Sequence, residues 1–505
     1  MTASRTLHAL PPQSLHQTTH EIPEHHPARG TLAASLLPQL PLAAAPSAPN
    51  IIHIVADDLG WQDVGFNGCK DIQTPHLDAL AKGGARFTQF YVQPMCTPTR
   101  AALMTGRYPF RYGLQTAVIP SVSTYGLDTG EYLLPQCLQD AGYTTAIIGK
   151  WHLGHADKKF WPKQRGFEYQ YGAMIGELDY YTHSEHGVLD WFRDNEPVHE
   201  EGYTTNLLGA DAVKYLEKQK ADRPFYLYLA FNAPHTPYQA PQEYIDRYTH
   251  IADPTRRTYA GMVACLDDNI GRVVAALDKK GLRENTLILF HSDNGGTHNP
   301  MFAGVMADVS KIKIPCDNSP YRDGKGSLFE GGVRVCALAN WPGKIKPATV
   351  DGLIHATDIF TTFTKLAGAS TSRCKPLDGV DAWPTMAEGR PSLREEVVYN
   401  VEPYRAALRQ GDWKLIWRTT LPSSVDLYNL AADPFEKTNL ADGQPEKVAS
   451  MKLRLDELAR GAAKPLFLVD QLKVVMKNMN GEPVLPGEDG FGEAERDAAP
   501  AAPGH

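Results

Sequence analysis

Short apolar runs recur along the chain, and polar residues or glycines follow each run directly. Four nearly continuous runs have the length and composition of buried strands in a parallel sheet: Ile51–Ala56, Tyr143–Ile148, Phe225–Phe231 and Thr286–Ser292. Apolar spacing and end signals between these runs predict helices over Thr74–Ala81, Glu131–Ala141, Thr205–Lys218 and Thr255–Lys280. Alternating strands and helices predict an α/β fold, with a mostly parallel, mixed sheet flanked by helices.

The same pattern continues to about residue 378 and then changes. A strand is predicted over Val333–Ala339 and a helix over Ala356–Leu366, after a long irregular segment from Thr297 to Asp323. Beyond Gly379, short strands at hairpin-like spacing are predicted over Glu396–Asn400, Arg405–Arg409, Trp413–Arg418 and Val425–Leu430. A helix is predicted after them, over Pro445–Ala459. We therefore predict a large α/β domain over 50–378, a smaller C-terminal α+β domain over 379–465, and a tail over 466–505 that is disordered at its end.

Residues 1–49 form a leader rich in Pro, His and Ala. Within it, Thr31–Ala48 is a short apolar run that follows Arg29 and ends in small residues, as in a signal peptide. Pro38 and Pro41 interrupt the run and some 30 residues precede it, which fits a disordered leader, or a start codon assigned too far upstream, as well. We expect export to the periplasm or medium, with a cytoplasmic location as the alternative. No run of about 18 apolar residues occurs, so we expect no membrane span.

Bulk composition narrows the possible functions. The chain has 505 residues, of which 42% are hydrophobic and 21% charged, as in a soluble globular protein. Its formal net charge of −8 argues against nucleic acid as a partner. None of the seven cysteines forms a Cys-x-x-Cys pair, so zinc is not indicated. An oxidising compartment would allow disulfides among them, and the sequence leaves their connectivity open.

Charged and polar side chains follow the predicted strands where each strand ends. The residues concerned are Asp57, Asp58, Lys150, His152, His235, Asp293 and Asn294, and Lys325 lies further on between two glycines. Parallel sheets bind ligands beyond the carboxyl ends of their strands, so these residues are candidates for one site. Adjacent acids repel each other unless a cation lies between them. Taken singly, each residue could equally be a helix cap, a surface lysine or a buried histidine.

The stretch Met95–Arg107 is the strongest single signal. Pro98 suits the first helical position with Thr97 as its cap, and Gly106 suits the helix end. Cys96 would lie at a helix N-terminus that favours an anion, with Arg100 one turn further on. The residues alone also allow an ordinary buried cysteine.

The string Cys-Thr-Pro-Thr-Arg, followed by Ala-Ala-Leu-Met-Thr-Gly-Arg, resembles the signature of the type I sulfatases. Gly142–Lys150 resembles the second signature of that family, and the resemblance extends over about 50–442. The chain is most similar to arylsulfatase B-like members, the N-acetylgalactosamine-4-sulfatases; six strings carry this, GKWHLG, QRGF, YAGMV, DNGG, SLFEGGVR and KPLDGV. The resemblance implies an alkaline-phosphatase-like α/β core, and the absence of Asn-x-Ser/Thr fits a bacterial product.

The resemblance also implies a site. Asp57, Asp58, Asp293 and Asn294 would hold Ca²⁺, or alternatively Mg²⁺, together with an oxygen from modified Cys96. A maturation enzyme would oxidise Cys96 to formylglycine (3-oxoalanine), whose hydrate is the nucleophile. Surrounding the sulfate would be Arg100, Lys150, His152, His235 and Lys325. By analogy Asp293 would deprotonate the attacking hydroxyl, His152 would assist collapse of the adduct, and His235 or Lys325 would protonate the leaving oxygen.

Three functions follow from these residues. The first is hydrolysis of a sulfate monoester, either an aryl sulfate or a sulfated sugar. The alternatives are a phosphonate or phosphate ester hydrolase on the same scaffold, and an unmodified protein that binds sulfated glycans. The segment between Asn294 and Lys325, which contains Cys316, looks longer than in relatives, so substrate preference is not inferred from the motifs. A lysine cluster could hold a polyanionic sugar or be a solvated surface; it comprises Lys158, Lys159 and Lys163.

Overall fold

The computed structural model describes residues 48–185, 187–220, 222–299, 314–420 and 422–480. The predicted signal peptide lies outside the described residues except for Ala48, and so do 300–313 of the irregular segment and the end of the tail. Among the helices of the described ranges, none has the length and apolar character that crossing a membrane requires.

Eighteen strands are described in the ranges given above. They are β1 (Asn50–Ala56), β2 (Ala85–Phe87), β3 (Phe90–Tyr91), β4 (Thr144–Gly149), β5 (Tyr169–Gly172), β6 (Ser184–Glu185), β7 (Val188–Leu189), β8 (Phe192–Arg193), β9 (Glu196–Pro197), β10 (Phe225–Ala230), β11 (Thr286–Ser292), β12 (Ala337–Asn340), β13 (Ala348–Val350), β14 (Ile354–His355), β15 (Glu396–Val401), β16 (Arg405–Gln410), β17 (Trp413–Arg418) and β18 (Ser424–Asn429). The helices are α1 (Pro75–Lys82), α2 (Cys96–Thr105), α3 (Leu134–Asp140), α4 (Thr204–Glu217), α5 (Gln242–Ile245), α6 (Pro254–Lys280), α7 (Glu330–Val333), α8 (Ala356–Leu366), α9 (Trp383–Glu388), α10 (Pro445–Arg460) and α11 (Leu466–Met479).

The main sheet has ten strands in the order β13-β2-β12-β11-β1-β10-β4-β5-β8-β9. Its five central strands, from β11 to β5, are parallel, whereas β12 and β8 pair antiparallel with their inner neighbours. Helices cover both faces, as the apolar strand runs predict. On β1, Ile52 and Ile54 pack in a core with α1, α4 and α6, while Ile51 and Val55 pack in a second core with α2, α3 and α8.

A four-stranded antiparallel sheet, in the order β15-β16-β17-β18, lies in the C-terminal part of the chain and confirms the predicted hairpin series. Alternate residues of its strands serve two cores because side chains of a strand point to opposite faces. Val398 and Leu408 pack against α10, whereas Tyr399 and Ala407 pack against Tyr91 of β3. In the segment that we assign to the tail, residues 466–479 form α11.

Three predicted boundaries are wrong for identifiable reasons. The helix predicted from Glu131 begins at Leu134, because the Glu131 carboxylate is bound by Arg107 and Lys375. The strand predicted from Val333 begins at Ala337, because Glu330–Val333 forms one helical turn.

The third boundary is that of α2, which begins at Cys96 with Met95 before it, so that Thr97 is inside the helix. The Thr97 hydroxyl does not cap α2. It donates to His152 O at 3.0 Å and accepts from Ile119 N at 3.2 Å.

Candidate active site

The ends of β1 and β11 bring four acidic and amide side chains together. The two strands are parallel neighbours with Ala56 opposite Ser292, and Asp293 N donates to Ala56 O at 3.0 Å. Asp58 has a left-handed φ of 63°, which turns the chain at the strand end. Its amide donates to Asp293 Oδ1 at 3.3 Å, and Asn294 Nδ2 donates to Asp58 Oδ1 at 2.7 Å. These residues therefore form one cluster at the carboxyl edge of the sheet.

Two lysines reach the same carboxylates from other segments. Lys150 follows β4, is fully buried and donates from Nζ to Asp57 Oδ2. It can approach because the chain at Gly149 lies against β10, where an added Cβ would be only 1.8 Å from Ala230 O. Lys325 Nζ donates to Asp58 Oδ2 at 2.7 Å. The paired carboxylate raises the pKa of Lys325 although burial opposes this, so the side chain stays charged.

Arg100 provides the third buried cation. Its guanidinium is 0% exposed and donates from Nε and Nη2 to Asp293 Oδ2 at 3.1 and 2.8 Å. Nη1 donates to the Lys150 carbonyl at 3.1 Å, which joins α2 to the end of β4. Burial, together with the charge of Asp57, raises the pKa of Asp293 to about 6 despite the arginine.

Cys96 is the first residue of α2 and is 1% exposed. One potential ligand atom from each of Cys96, Asp57, Asp58 and His235 lies within 4.8 Å of the others. Burial raises the pKa of the Cys96 thiol to about 12, although Lys150 and Lys325 act to lower it. The unmodified thiol would therefore be protonated near neutral pH and would be a weak nucleophile.

Two histidines border the cluster as neutral rings. His235 Nδ1 donates to Thr236 O at 2.7 Å, so Nε2 is the acceptor for Lys325 Nζ at 3.1 Å. Burial, with the charge of Lys325, lowers the pKa of His235 to about 3. His152 Nε2 donates to Ile119 O at 3.2 Å, and burial lowers the His152 pKa well below its ordinary value. Its Nδ1 is buried without a hydrogen-bond partner.

The cluster has the donor set of a site for a hard divalent cation. Asp57 Oδ1 and Asn294 Oδ1 are buried, and neither accepts a hydrogen bond. Such buried oxygens are uncommon in folded proteins, because an oxygen that loses its hydrogen bonds to water is destabilising unless another donor or a cation replaces the water. Carboxylate and amide oxygens suit Ca²⁺ or Mg²⁺. His235 lies close enough to be a ligand, but its free nitrogen is taken by Lys325 in this arrangement.

The structure thus joins eight predicted site residues through hydrogen bonds or ion pairs; they are Asp57, Asp58, Arg100, Lys150, His235, Asp293, Asn294 and Lys325. Cys96 lies within ligand distance of Asp57, Asp58 and His235. His152 is next to the group, since its carbonyl accepts a hydrogen bond from Thr97, the residue after Cys96. Their individual catalytic roles stay predictions. Of the proposed sugar-binding lysines, Lys159 pairs with Asp157 at 2.9 Å and Lys163 with Asp194 at 3.0 Å, as a solvated surface would.

Two further residues belong to the surroundings of the cluster. Thr297 Oγ1 donates to Asp58 Oδ2 at 3.2 Å, and its position four residues after Asp293 could have suggested this. Burial beside Glu185 raises the pKa of Glu177 to about 7, and Lys325 and Lys150 partly oppose the shift. Glu177 follows Gly176, where an added Cβ would lie 2.4 Å from Cε1 of His152. A single glutamate in a loop gives no signal in the sequence.

Comparison with known proteins agrees with the motifs. The family model described as Sulfatase matches residues 49–369. Mouse Arylsulfatase J is 32% identical over 475 residues, covering 83% of this chain and 77% of that protein. Mouse N-acetylgalactosamine-6-sulfatase is 35% identical over 370 residues, covering 69% of this chain and 68% of that protein.

Solved structures give the same result. The crystal structure of Ps i-CgsB has a TM-score of 0.77 and 34% identity, covering 88% of this chain and 99% of that one. Phosphonate Monoester Hydrolase of Agrobacterium radiobacter, with a TM-score of 0.59 and 20% identity over 81% of this chain and 96% of that one, shares the fold. The predicted alkaline-phosphatase-like α/β fold is confirmed, while the 4-sulfatase type and the bacterial source stay predictions. The chain belongs to the sulfatase family, a family of sulfuric ester hydrolases.

Proposed function

We propose that this enzyme hydrolyses sulfate monoesters of saccharides, with a formylglycine made from Cys96 as nucleophile and Ca²⁺, in preference to Mg²⁺, beside it. The observation that carries the proposal is the pair of buried oxygens without donors, Asp57 Oδ1 and Asn294 Oδ1, next to Cys96. Other described side chains also have unpaired buried atoms, but these two lie together at the strand ends beside Cys96, where a cation can complete them.

Charge supports an anionic substrate. Three carboxylates in the cluster face three cations, Arg100, Lys150 and Lys325, so the side chains nearly balance. The addition of a divalent cation would leave the cluster positive, which favours a sulfate group. Asp57, Asp58, Asp293 and Asn294, with an oxygen of modified Cys96, would hold that cation, and it would stabilise negative charge on the sulfate.

The modification of Cys96 would be made by a formylglycine-generating maturation enzyme. In that form residue 96 supplies a hydrated aldehyde, which can release sulfate without leaving a stable sulfated enzyme. Its place at the N-terminus of α2 gives the reacting group free backbone N–H donors. Arg100 on the same helix is fixed by Asp293 and Lys150, so its charge is preorganised rather than mobile.

Hydrogen bonds support separate roles for the two edges of the cluster. Lys325 Nζ donates to His235 Nε2, so the transferable proton is held by the lysine and the histidine can accept it. This supports Lys325, assisted by His235, as the source of the proton for the leaving oxygen. His152 Nδ1 has no partner and is the atom that could accept a proton from the hydrate when the adduct collapses.

Relatives support a sugar as the part of the substrate that carries the sulfate. One solved structure with 34% identity is a complex with k-i-k-neocarrahexaose, and its chain is covered to 98% with a TM-score of 0.76. The curated relatives include N-acetylgalactosamine-6-sulfatases. We therefore favour a sulfated saccharide over a simple aryl sulfate, which would serve as a laboratory substrate.

The proposal is tested by mass and by turnover. Protein produced with and without a formylglycine-generating enzyme is digested, and the peptide that contains Cys96 is weighed; conversion lowers its mass by ~18 Da. We expect turnover of nitrophenyl sulfate and desulfation of sulfated oligosaccharides to follow the converted fraction. Full activity of unconverted protein would overturn the nucleophile. Preference for phosphonate monoesters by orders of magnitude would favour the alternative ester chemistry, and glycan binding by converted protein without turnover would favour a binding protein.

A further inference from the structure

Two cysteines outside the site have their sulfur atoms in contact. Cys137 lies on α3, and Cys374 lies in the segment between α8 and α9. Their Sγ atoms are 3.5 Å apart, although 237 positions separate the residues in the chain. Cys137 is fully buried and Cys374 is partly exposed. No part of the proposed catalytic cycle uses either thiol.

The residues on both sides of Cys374 hold its segment against the region of α3. Arg373 donates to Tyr132 Oη at 2.6 Å and lies 3.3 Å from Asp140. Lys375 Nζ donates to Glu131 at 2.8 Å. The two thiols are therefore brought together by flanking ion pairs and hydrogen bonds, and not by a chance contact of a loose loop.

We propose that Cys137 and Cys374 form an intramolecular disulfide, which fastens α3 to the segment that leads towards the C-terminal domain. The sulfur atoms have to approach by about 1.5 Å to reach the bond length of ~2.05 Å. The mobile partner in this step is Cys374, since it is in a loop while Cys137 is in a packed helix.

The bond is made by thiol–disulfide exchange with an external disulfide, such as that of oxidised glutathione or of a periplasmic thiol oxidase. The Cys374 thiolate attacks one sulfur of the oxidant and releases one thiol. Cys137 then loses its proton and attacks Cys374 Sγ in the mixed disulfide, which releases the second thiol. Two electrons pass to the oxidant, and the protein loses two hydrogen atoms.

Electrostatics favours this order of events. The thiol contact with Cys137 lowers the pKa of Cys374 and Arg373 lowers it further, although burial and Glu131 act to raise it. Cys374 is also the more exposed of the two, so it meets the oxidant first. Such a bond persists in an oxidising compartment and not in the cytosol, so it accords with the export that the leader suggests.

The test uses the wild-type full-length protein. It is incubated with oxidised glutathione, free thiols are blocked with N-ethylmaleimide, and tryptic peptides are mapped by mass spectrometry. We expect one cross-linked species that contains Cys137 and Cys374, ~2 Da lighter than the sum of its reduced peptides, and its loss on treatment with dithiothreitol. Alkylation of both cysteines after oxidation, or a cross-link of either to another cysteine, would overturn the proposal.

A thermal measurement complements the mapping. Oxidised wild type should unfold about 5 °C above reduced wild type, because the cross-link restricts the unfolded chain. The Cys374→Ser variant should lose this difference. The matched control Cys69→Ser should keep it, because the Cys69 thiol donates to Asp71 and contacts no other cysteine among the described residues. A redox-dependent shift that persists in Cys374→Ser would count against the pair.

Discussion

Two buried clusters of charge in this protein look alike in composition and differ in completeness. One is the site cluster at the strand ends. The other, which we call the domain-joining cluster, lies between the two predicted domains and consists of Glu330, Lys414 and Glu436 with Tyr91 and Arg334. Both are withdrawn from water and both contain carboxylates beside lysine and arginine.

In the domain-joining cluster every carboxylate oxygen lies against a donor or a cation, although Glu436 Oε1 meets its lysine as an ion pair and accepts no hydrogen bond. Lys414 Nζ lies 2.9 Å from Glu330 Oε1 and 2.9 Å from Glu436 Oε1. Tyr91 Oη donates to Glu330 Oε2 at 2.7 Å, and Glu330 N donates to Glu436 Oε2 at 2.7 Å. In the site cluster, Asp57 Oδ1 and Asn294 Oδ1 have none. Carboxylate oxygens that each lie against a protein cation or donor indicate a structural role, whereas oxygens with neither indicate that a ligand completes the site.

The largest effect that separates the clusters is expected from Cys96→Ala. Turnover should fall by at least about 1,000-fold because the precursor of the nucleophile is gone, while the melting temperature should change little. Steady-state kinetics with nitrophenyl sulfate and thermal unfolding measure the two properties. Retained turnover would remove Cys96 from the reaction.

The opposite behaviour is expected from Lys414→Met. The change leaves Glu330 and Glu436 buried without their shared cation, so the free energy of unfolding should fall by about 3–5 kcal/mol. Protein that remains folded at low temperature should keep its kcat. Urea unfolding measures the loss of stability. Steady-state kinetics in the cold, where a destabilised variant stays folded, measure kcat. A variant as stable as wild type would show that the pairing contributes nothing.

Metal binding should distinguish the clusters in a third way. Asp57→Asn removes one charge from the site cluster, so its affinity for Ca²⁺ should fall by about tenfold or more in calorimetry. Glu330→Gln is the matched control, since it makes the same chemical change in the domain-joining cluster and should leave the affinity as it is. Equal affinities for all three proteins would place the cation elsewhere.

The smallest effect concerns pH and Glu177. Burial raises its folded pKa to about 7, above the value of 4.5 in the unfolded chain. The folded protein therefore holds this proton more tightly, and the stability that this gives is present at low pH and is lost as pH rises towards 7. As pH rises from about 5 to 8, the free energy of unfolding of Glu177→Gln, measured with urea, should increase relative to that of wild type by about 2–3 kcal/mol. A constant difference over that range would mean that Glu177 does not titrate there.

The comparison also explains what the sequence could and could not predict. The acids of the site cluster were predictable because Asp57 and Asp293 directly follow apolar strands, whereas the place of Arg100 and Lys325 around the sulfate was identified only through the resemblance to the sulfatase motifs. The domain-joining cluster was not predicted, since Glu330 and Lys414 are far apart in the chain and neither is part of a local pattern. The two-residue strands β6 to β9 were missed for a related reason, because two residues give no periodicity.

Boundaries failed where a tertiary contact decided them. Thr97 suits a helix cap by its residue type, but its hydroxyl binds the chain at His152 and Ile119 instead. Val333 suits a strand by propensity, but the buried pairing of Glu330 with Lys414 keeps its segment helical. Local preferences of this size are small next to a buried ion pair.

The close approach of Gly149 to β10 has a practical consequence. One methyl group at that position would lie 1.8 Å from the Ala230 carbonyl oxygen. Directed evolution of this enzyme should therefore find no tolerated substitution of Gly149. Libraries that seek a new substrate should spare the strand ends and vary the surrounding loops, where an altered side chain can be accommodated without moving the sheet.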